Sequence, residues 1–454
     1  MFRRVAVLAV LAPALALATP TRTTSLGDMN LYLDDDSSVF LFPGQTARWA
    51  NLFELDLGGV PGQQLGGLQQ TAGGGAFLHV GKSLVLGAWA TDYTSPTMNT
   101  FLKTVDAFAT AANAGKFSTL GALGGNPGAG ASERKYDVFA GYALSEATSV
   151  GLQLSYGSDT EHTIPGPNSA GAGKDRLDDY YGQTDLRVGA GLSSGTADEG
   201  YDAAVSYQYS GVSYLVDGYS HFTGGSGSTL GLTARYRAKL NERWTLIPAL
   251  NYSVDVFGLT EDTKLAAFGG KKGDPLDHNE DRKHSMLDHT VDAGVASRFK
   301  ANERVSLWAA LGAAINYVGA SATILTDDTA SGLNNVVLGA STMTWGPYLR
   351  IGLEAQLNDW LVFRGGVRKE ALTLTTNTSR DDPKSTQTTN STSRSDVGLD
   401  EGTPSFVGFV GLGVKYGGLV ADLLLDPGIF FRGPNFISGA GGPLATRVTL
   451  AYAF

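Results

Sequence analysis

Apolar residues alternate with polar or small ones along most of the chain. A period of two is the signature of an extended strand with one apolar face. In residues 149–157 the apolar set is Val150, Leu152, Leu154 and Tyr156, against Ser149, Gly151, Gln153 and Ser155. Residues 201–210 place Tyr201, Ala203, Val205, Tyr207 and Tyr209 opposite Asp202, Ala204, Ser206, Gln208 and Ser210. Leu230, Leu232, Ala234, Tyr236, Ala238 and Leu240 oppose Gly231, Thr233, Arg235, Arg237 and Lys239, and Val305 to Tyr317 alternates in the same way. These runs are 9 to 15 residues long, whereas strands of soluble domains have about 5 or 6. A strand tilted across a bilayer needs about 9 to 11. Length decides for the bilayer.

Connections between the runs alternate between short and long. Short ones fall at 79–82, 145–147, 193–200, 241–243, 302–304, 358–359 and 416–418, and three of them open on Asn followed by an acid. That pairing suits a tight hairpin turn. Long polar connections fall at about 59–72, 94–134, 158–179, 211–227, 258–285, 319–341, 376–403 and 426–444. The pattern predicts an all-β fold, a transmembrane antiparallel up-and-down β-barrel of about 16 strands, with 14 as the alternative. Short turns face the periplasm and long loops the exterior. Trp244, Trp360, Tyr416, Tyr252 and Tyr317 sit near strand ends, where interfacial aromatic girdles belong.

The N-terminus names a compartment. Arg3 and Arg4 precede an almost wholly apolar stretch from Val5 to Ala18, closed by Ala16-Leu17-Ala18. This predicts a signal peptide over 1–18, an N-terminal periplasmic or plug segment over 19–45, and the barrel over 46–454. The expected location is the bacterial outer membrane. The chain has no cysteine, so disulfides and thiolate metal sites are excluded. A net charge of −10 argues against nucleic acid as a partner. Glycine, at 60 residues, is in excess, which with the low charge suggests many strands and many turns.

The last strand, RVTLAYAF, ends on an aromatic with apolar residues at alternate positions before it. This resembles the assembly signal of bacterial outer-membrane β-barrel proteins, which implies that Tyr452 and Phe454 are presented to the barrel assembly machinery. Porins of 16 strands are often trimers, so a trimer is one expected state. A second resemblance lies in residues 25–44, SLGDMNLYLDDDSSVFLFPG. Ser25, Leu26, Gly27, Asp35, Asp36, Ser37 and Pro43 match the N-terminal outline of the FadL-type transporters of hydrophobic compounds. Phe42 and Gly44 depart from it. The likeness implies that this segment plugs or lines the barrel.

With apolar residues facing lipid, the alternate residues face the lumen. Arg187, Arg235, Arg237, Lys239, Arg298, Arg350, Arg364 and Arg368 are the basic candidates there. Asp185, Asp202, Asp255, Asp292, Glu354 and Glu370 are the acidic ones. Charges within a spanning segment must face water or one another. They predict a hydrated channel for passive or facilitated diffusion of small solutes, with a mild anion preference. A FadL-like carrier and a purely structural or surface-interaction barrel are the alternatives. In the 94–134 connection, Phe101, Leu102, Val105 and Phe108 recur at helical spacing and predict a constriction helix.

Other motifs stay at background. Asp34-Asp35-Asp36 lacks the spacing of a calcium loop and reads as a solvated acidic turn. Residues 277–289 concentrate His278, His284 and His289 without zinc spacing and read as a polar external loop. No Ser or Asp stands in a recognisable catalytic motif beside His162, His221, His278 or His284. No enzyme activity, cofactor or metal is expected; the partners are outer-membrane lipid, the assembly machinery and small solutes.

Overall fold

The computed structural model describes residues 19–58, 69–94, 133–163, 179–216, 220–265, 278–326, 336–381, 389–397, 406–425 and 445–454. The strands are β1 Leu52–Gly58, β2 Gln69–Val80, β3 Leu84–Thr94, β4 Glu133–Ala143, β5 Thr148–Thr163, β6 Asp179–Gly195, β7 Gly200–Val216 and β8 Ser220–Lys239. They continue with β9 Trp244–Leu265, β10 His278–Lys300, β11 Val305–Thr326 and β12 Val336–Gln356. Strand β13 is Leu361–Glu370 continued by Leu372–Asp381, both pieces paired with β12. Strand β14 is Thr389–Val397 continued by Phe406–Tyr416, and β15 and β16 are Leu419–Leu425 and Ala445–Ala453.

Each strand pairs antiparallel with its sequence neighbours, and β1 closes the ring against β16. The result is a closed barrel of 16 strands. Closure satisfies every ladder and leaves no edge. The outer face is apolar: Leu152, Val205, Leu232, Leu311 and Tyr317 are all exposed on it, and so are Trp244, Trp360 and Tyr416 beside the short turns. A bilayer demands such a surface.

The strands run further than the pattern of apolar positions predicts. β8 to β12 are 20 to 23 residues long. The connection expected at 211–227 is largely paired strand, and so is much of 258–285 and 319–341. Above the bilayer neither face needs to be apolar, so the ladder continues while the alternation disappears. The segment holding His284 is therefore strand and not an external loop, with His284 buried on the inner side of β10. The helical pattern at 101–108 and its constriction role lie outside the described residues.

Candidate functional site in the barrel lumen

Residues 19–50 form a chain of short capped turns. Thr19 caps the helix α1, Pro20–Ser25, its hydroxyl accepting from the Arg22 amide at 3.2 Å, and Pro20 stands at the first position. Gly27 reverses the chain at φ 87°. Asp35 caps a 3-10 turn over Asp36–Phe40 in a reciprocal box with Ser38. A second 3-10 turn, Pro43–Arg48, again opens on proline. The segment has little regular structure of its own, yet among these residues Asn30 alone is exposed. Its stability must come from what surrounds it.

The surroundings are the inner wall. The Thr19 hydroxyl donates to Asp422 of β15 at 2.6 Å, and the Thr21 hydroxyl lies 2.6 Å from that of Thr449 on β16. Arg22 holds Glu354 of β12. Arg350 donates to the Asp28 carbonyl at 2.7 Å, and Arg368 of β13 pairs with the Asp28 carboxylate at 2.9 Å. The Tyr32 and Tyr348 hydroxyls are 2.6 Å apart, and Tyr348 donates onward to Asp292 at 2.6 Å. Leu26, Met29, Leu31, Tyr32, Leu33 and Phe42 form one apolar cluster with Ile247, Ala249, Ala296, Trp308 and Ala310 of β9 to β11. Phe40 packs edge-on against Trp89 and Phe139 of β3 and β4, at 5.4 Å between ring centroids in each case. The contacts run around the ring, so the segment stands inside the barrel, on the half bounded by the short turns.

Glycine makes the fit. A Cβ on Gly151 would collide with the Pro43 carbonyl, and one on Gly366 with the backbone of Leu26 and Gly27. Backbone approaches backbone at both places, which no other residue permits. This was the missed signal in the sequence: inward-facing glycines near the short turns mark where something packs on the wall.

Burial acts on the charges of the segment. It pushes the Asp35 carboxyl up to about 6, partly offset by hydrogen bonds from Ser37 and Ser38 and by Arg22. Asp36 lies well above the usual carboxylate range, through burial and then the charge of Asp35. Burial opposes the charge of Arg22, but Glu354 beside it holds the guanidinium above its ordinary value. The Tyr32 phenol is raised by burial against the hydrogen bond to Tyr348. Asp35 and Asp36 are thus buried and not a solvated turn, because the sequence cannot reveal the wall that covers them.

The lumen candidates fall on the inner face, but several are committed to partners. Arg235 and Arg237 both pair with Asp202, and Arg235 also donates to the Leu31 and Leu33 carbonyls of the segment. Arg364 bridges Glu354 and Asp422. Arg298 pairs with Asp198 and lies over the Trp308 ring at 5.3 Å. Arg187 is half-buried opposite Gln208 and Ser155. Lys239, at the end of β8, is exposed at the rim. Further out, Asp255 faces Asp288 directly across β9 and β10. Val318 of β11 lies level with that pair, directly across from Asp288, and Phe257, Leu259 and Met286 lie beyond it, all four buried on the inward face. Sequence reasoning missed Arg22, Asp28, Tyr32 and Tyr348, which carry the contacts between segment and wall.

No family model matches the chain, and no curated protein matches it. Among solved structures, the toluene transporter TodX of Pseudomonas putida aligns over 96% of this chain and 96% of its own, at 11% identity and a TM-score of 0.38. The ferric yersiniabactin uptake receptor FyuA from Yersinia pestis aligns over 82% of this chain and 67% of its own, at 8% identity and a TM-score of 0.38. The ferric-catecholate import receptor Fiu from E. coli K12 aligns over 89% and 81%, at 11% identity and a TM-score of 0.33. Likenesses this distant speak to neither substrate nor mechanism.

Proposed function

We propose that this protein is an outer-membrane transporter whose N-terminal segment gates the lumen, and that its cargo is apolar or amphipathic. The observation that carries the reading is the segment itself. Residues 19–50 stand in the bore, bonded to the wall on all sides, so that solute must pass a gate. A passive porin needs a free bore and lumen charges turned to water. Here Arg235, Arg237 and Arg364 are spent on buried carboxylates. The apolar cargo rests on the patch of Phe257, Leu259, Met286 and Val318 on the outer half of the wall. It also agrees with the FadL-type outline of residues 25–44.

A lock tests the gate. The Thr21 and Thr449 hydroxyls are 2.6 Å apart and the chain has no other cysteine to interfere. A T21C/T449C disulfide should therefore pin the segment to β16. Oxidised, this variant should fail to take up an apolar fluorescent probe into proteoliposomes, and reduction should restore uptake. Removal of residues 19–50 should let sugars swell liposomes that the intact chain leaves unswollen. Equal swelling with and without the segment would return the reading to a passive pore.

A further inference from the structure

Thr19 stands at the junction between the apolar leader and the docked segment. Ala16-Leu17-Ala18 just before it puts small residues at the two positions a signal peptidase reads. Thr19 is fully buried, at 0% exposure, and caps α1. Its hydroxyl donates to Oδ2 of Asp422 on β15 at 2.6 Å. By standard bond lengths the nitrogen and hydroxyl oxygen of one threonine are no more than about 4 Å apart. The main-chain nitrogen of Thr19 therefore stands beside the same carboxylate.

The wall at this place is rich in carboxylates. Asp422 of β15, Thr449 of β16 and Asp56 of β1 lie side by side in register on the inner face. Thr449 donates to Asp56 at 2.8 Å, and its hydroxyl lies 2.6 Å from that of Thr21. Glu54, the next inward residue along β1, is buried and its Oε1 has no partner. Asp36 of the segment is buried too, with neither oxygen in bonding geometry to a donor, although the Ser37 amide lies near. Arg447 is taken by Asp56, Arg364 is shared by Asp422 and Glu354, and Arg22 is held by Glu354. Lys415 of β14 is one more cation in reach of Asp422 and Glu354. The carboxylates still outnumber the cations, and burial in that ratio is costly unless a further cation answers it.

We infer that hydrolysis of the Ala18–Thr19 bond supplies that cation, the new α-ammonium of Thr19 pairing with Asp422 and locking the segment to β15. Water adds across the peptide C–N bond. A carboxylate is left on Ala18, which departs with the leader, and an ammonium on Thr19. Before cleavage this nitrogen is a neutral amide with one hydrogen; afterwards it is a charged donor with three. Asp422 has room for it, since a carboxylate accepts about four bonds and, among the described residues, Arg364 and the Thr19 hydroxyl are its hydrogen-bond partners. A positive charge at the start of a helix opposes the helix dipole. Without Asp422 the ammonium would weaken α1; with it, the same charge fastens α1 to the wall. The lock rests on the gate reading only for its consequence, that a segment with any other terminus closes the bore less firmly.

The experiment starts from the full chain purified from outer membranes. Its first residue by mass spectrometry should be Thr19, and any other first residue would overturn the proposal. In denaturant at about pH 6.5, acetic anhydride takes the α-amine ahead of lysine, whose ordinary pKa is about 10.4 against about 7.7–8.0. Reductive dimethylation of a second sample adds similar bulk but keeps the charge, there and on lysine. After refolding into micelles, hydrogen exchange at the amides of Arg22, Thr23 and Leu26, which are bonded within α1, reads docking. The acetylated chain should lose at least about tenfold in protection relative to the unmodified chain, and the dimethylated chain should stay within about threefold of it. Equal loss in both would assign the effect to bulk, and no loss on acetylation would leave the ammonium idle; either result overturns the lock. Strand protection in the same samples reports refolding. The α-amine of the native chain in micelles should also react with the anhydride at least about tenfold more slowly than in denaturant. An equal rate overturns the proposal even if neither labelled chain refolds. Swelling of the segment-deleted chain bears on the gate and leaves the terminus untouched.

Discussion

Arg22 of α1 grips Glu354 of β12 with two nitrogens, Nε at 2.7 Å and Nη2 at 3.1 Å. Arg364 reaches the same carboxylate at 2.8 Å and passes to Asp422, which in turn accepts from Thr19. Segment and wall are thus joined at both ends of one charged chain. Removing one member of a buried pair leaves the other unpaired, which costs more than the pair contributes. Glu354→Ala should weaken docking by about 3 kcal/mol, or at least a hundredfold in the protection of the α1 amides. Exchange in the strands should not change, which separates loss of docking from loss of fold.

Gly366 offers a steric test. A side chain there meets the backbone of Leu26 and Gly27, whereas a Cβ on Gly408 of β14 meets nothing within 4 Å. Gly366→Val should expel the segment and admit sugars into liposomes. Gly408→Val should behave as wild type. Both variants should keep the heat-modifiable mobility of a folded barrel on gels.

The Tyr32–Tyr348–Asp292 relay predicts a ranking. Tyr348→Phe deletes both hydrogen bonds of the relay, and Tyr32→Phe deletes one. Each lost bond leaves a partner unsatisfied, at about 1–2 kcal/mol apiece. Protection of the amides around Tyr32 should therefore fall further in Tyr348→Phe than in Tyr32→Phe. The reverse order would show that Asp292 finds another donor.

The barrel was legible because lipid imposes its own period. Leu230, Leu232 and Tyr236 had to alternate with Thr233, Arg235 and Arg237, and the Asn-acid turns marked the rim. The outer halves of β8 to β12 were illegible because water on both sides imposes no period. The site was legible only in its wall. Arg235 and Glu354 could be placed on the inner face by parity, but their partners on the segment, the Leu31 carbonyl and Arg22, lie 204 and 332 residues away in the chain. Asp35 and Asp36 misled for the same reason: an acidic run reads as solvated until the strand that buries it is known.

Phe454 separates assembly from stability. Its ring is exposed and stacks on that of Tyr452 at 6.1 Å, while its amide donates to the Asn51 carbonyl at 3.0 Å. The closing ladder runs from Leu52↔Ala453 to Gly58↔Arg447 without using the side chain. Deleting Phe454 therefore removes no core contact, and the chain refolded into micelles should unfold thermally as the wild type does. If the terminal aromatic is what the assembly machinery reads, the outer-membrane level in cells should still fall several-fold. A full outer-membrane level in cells would show that the last strand is recognised through other residues. A lowered unfolding temperature in micelles would show that Phe454 closes the barrel itself.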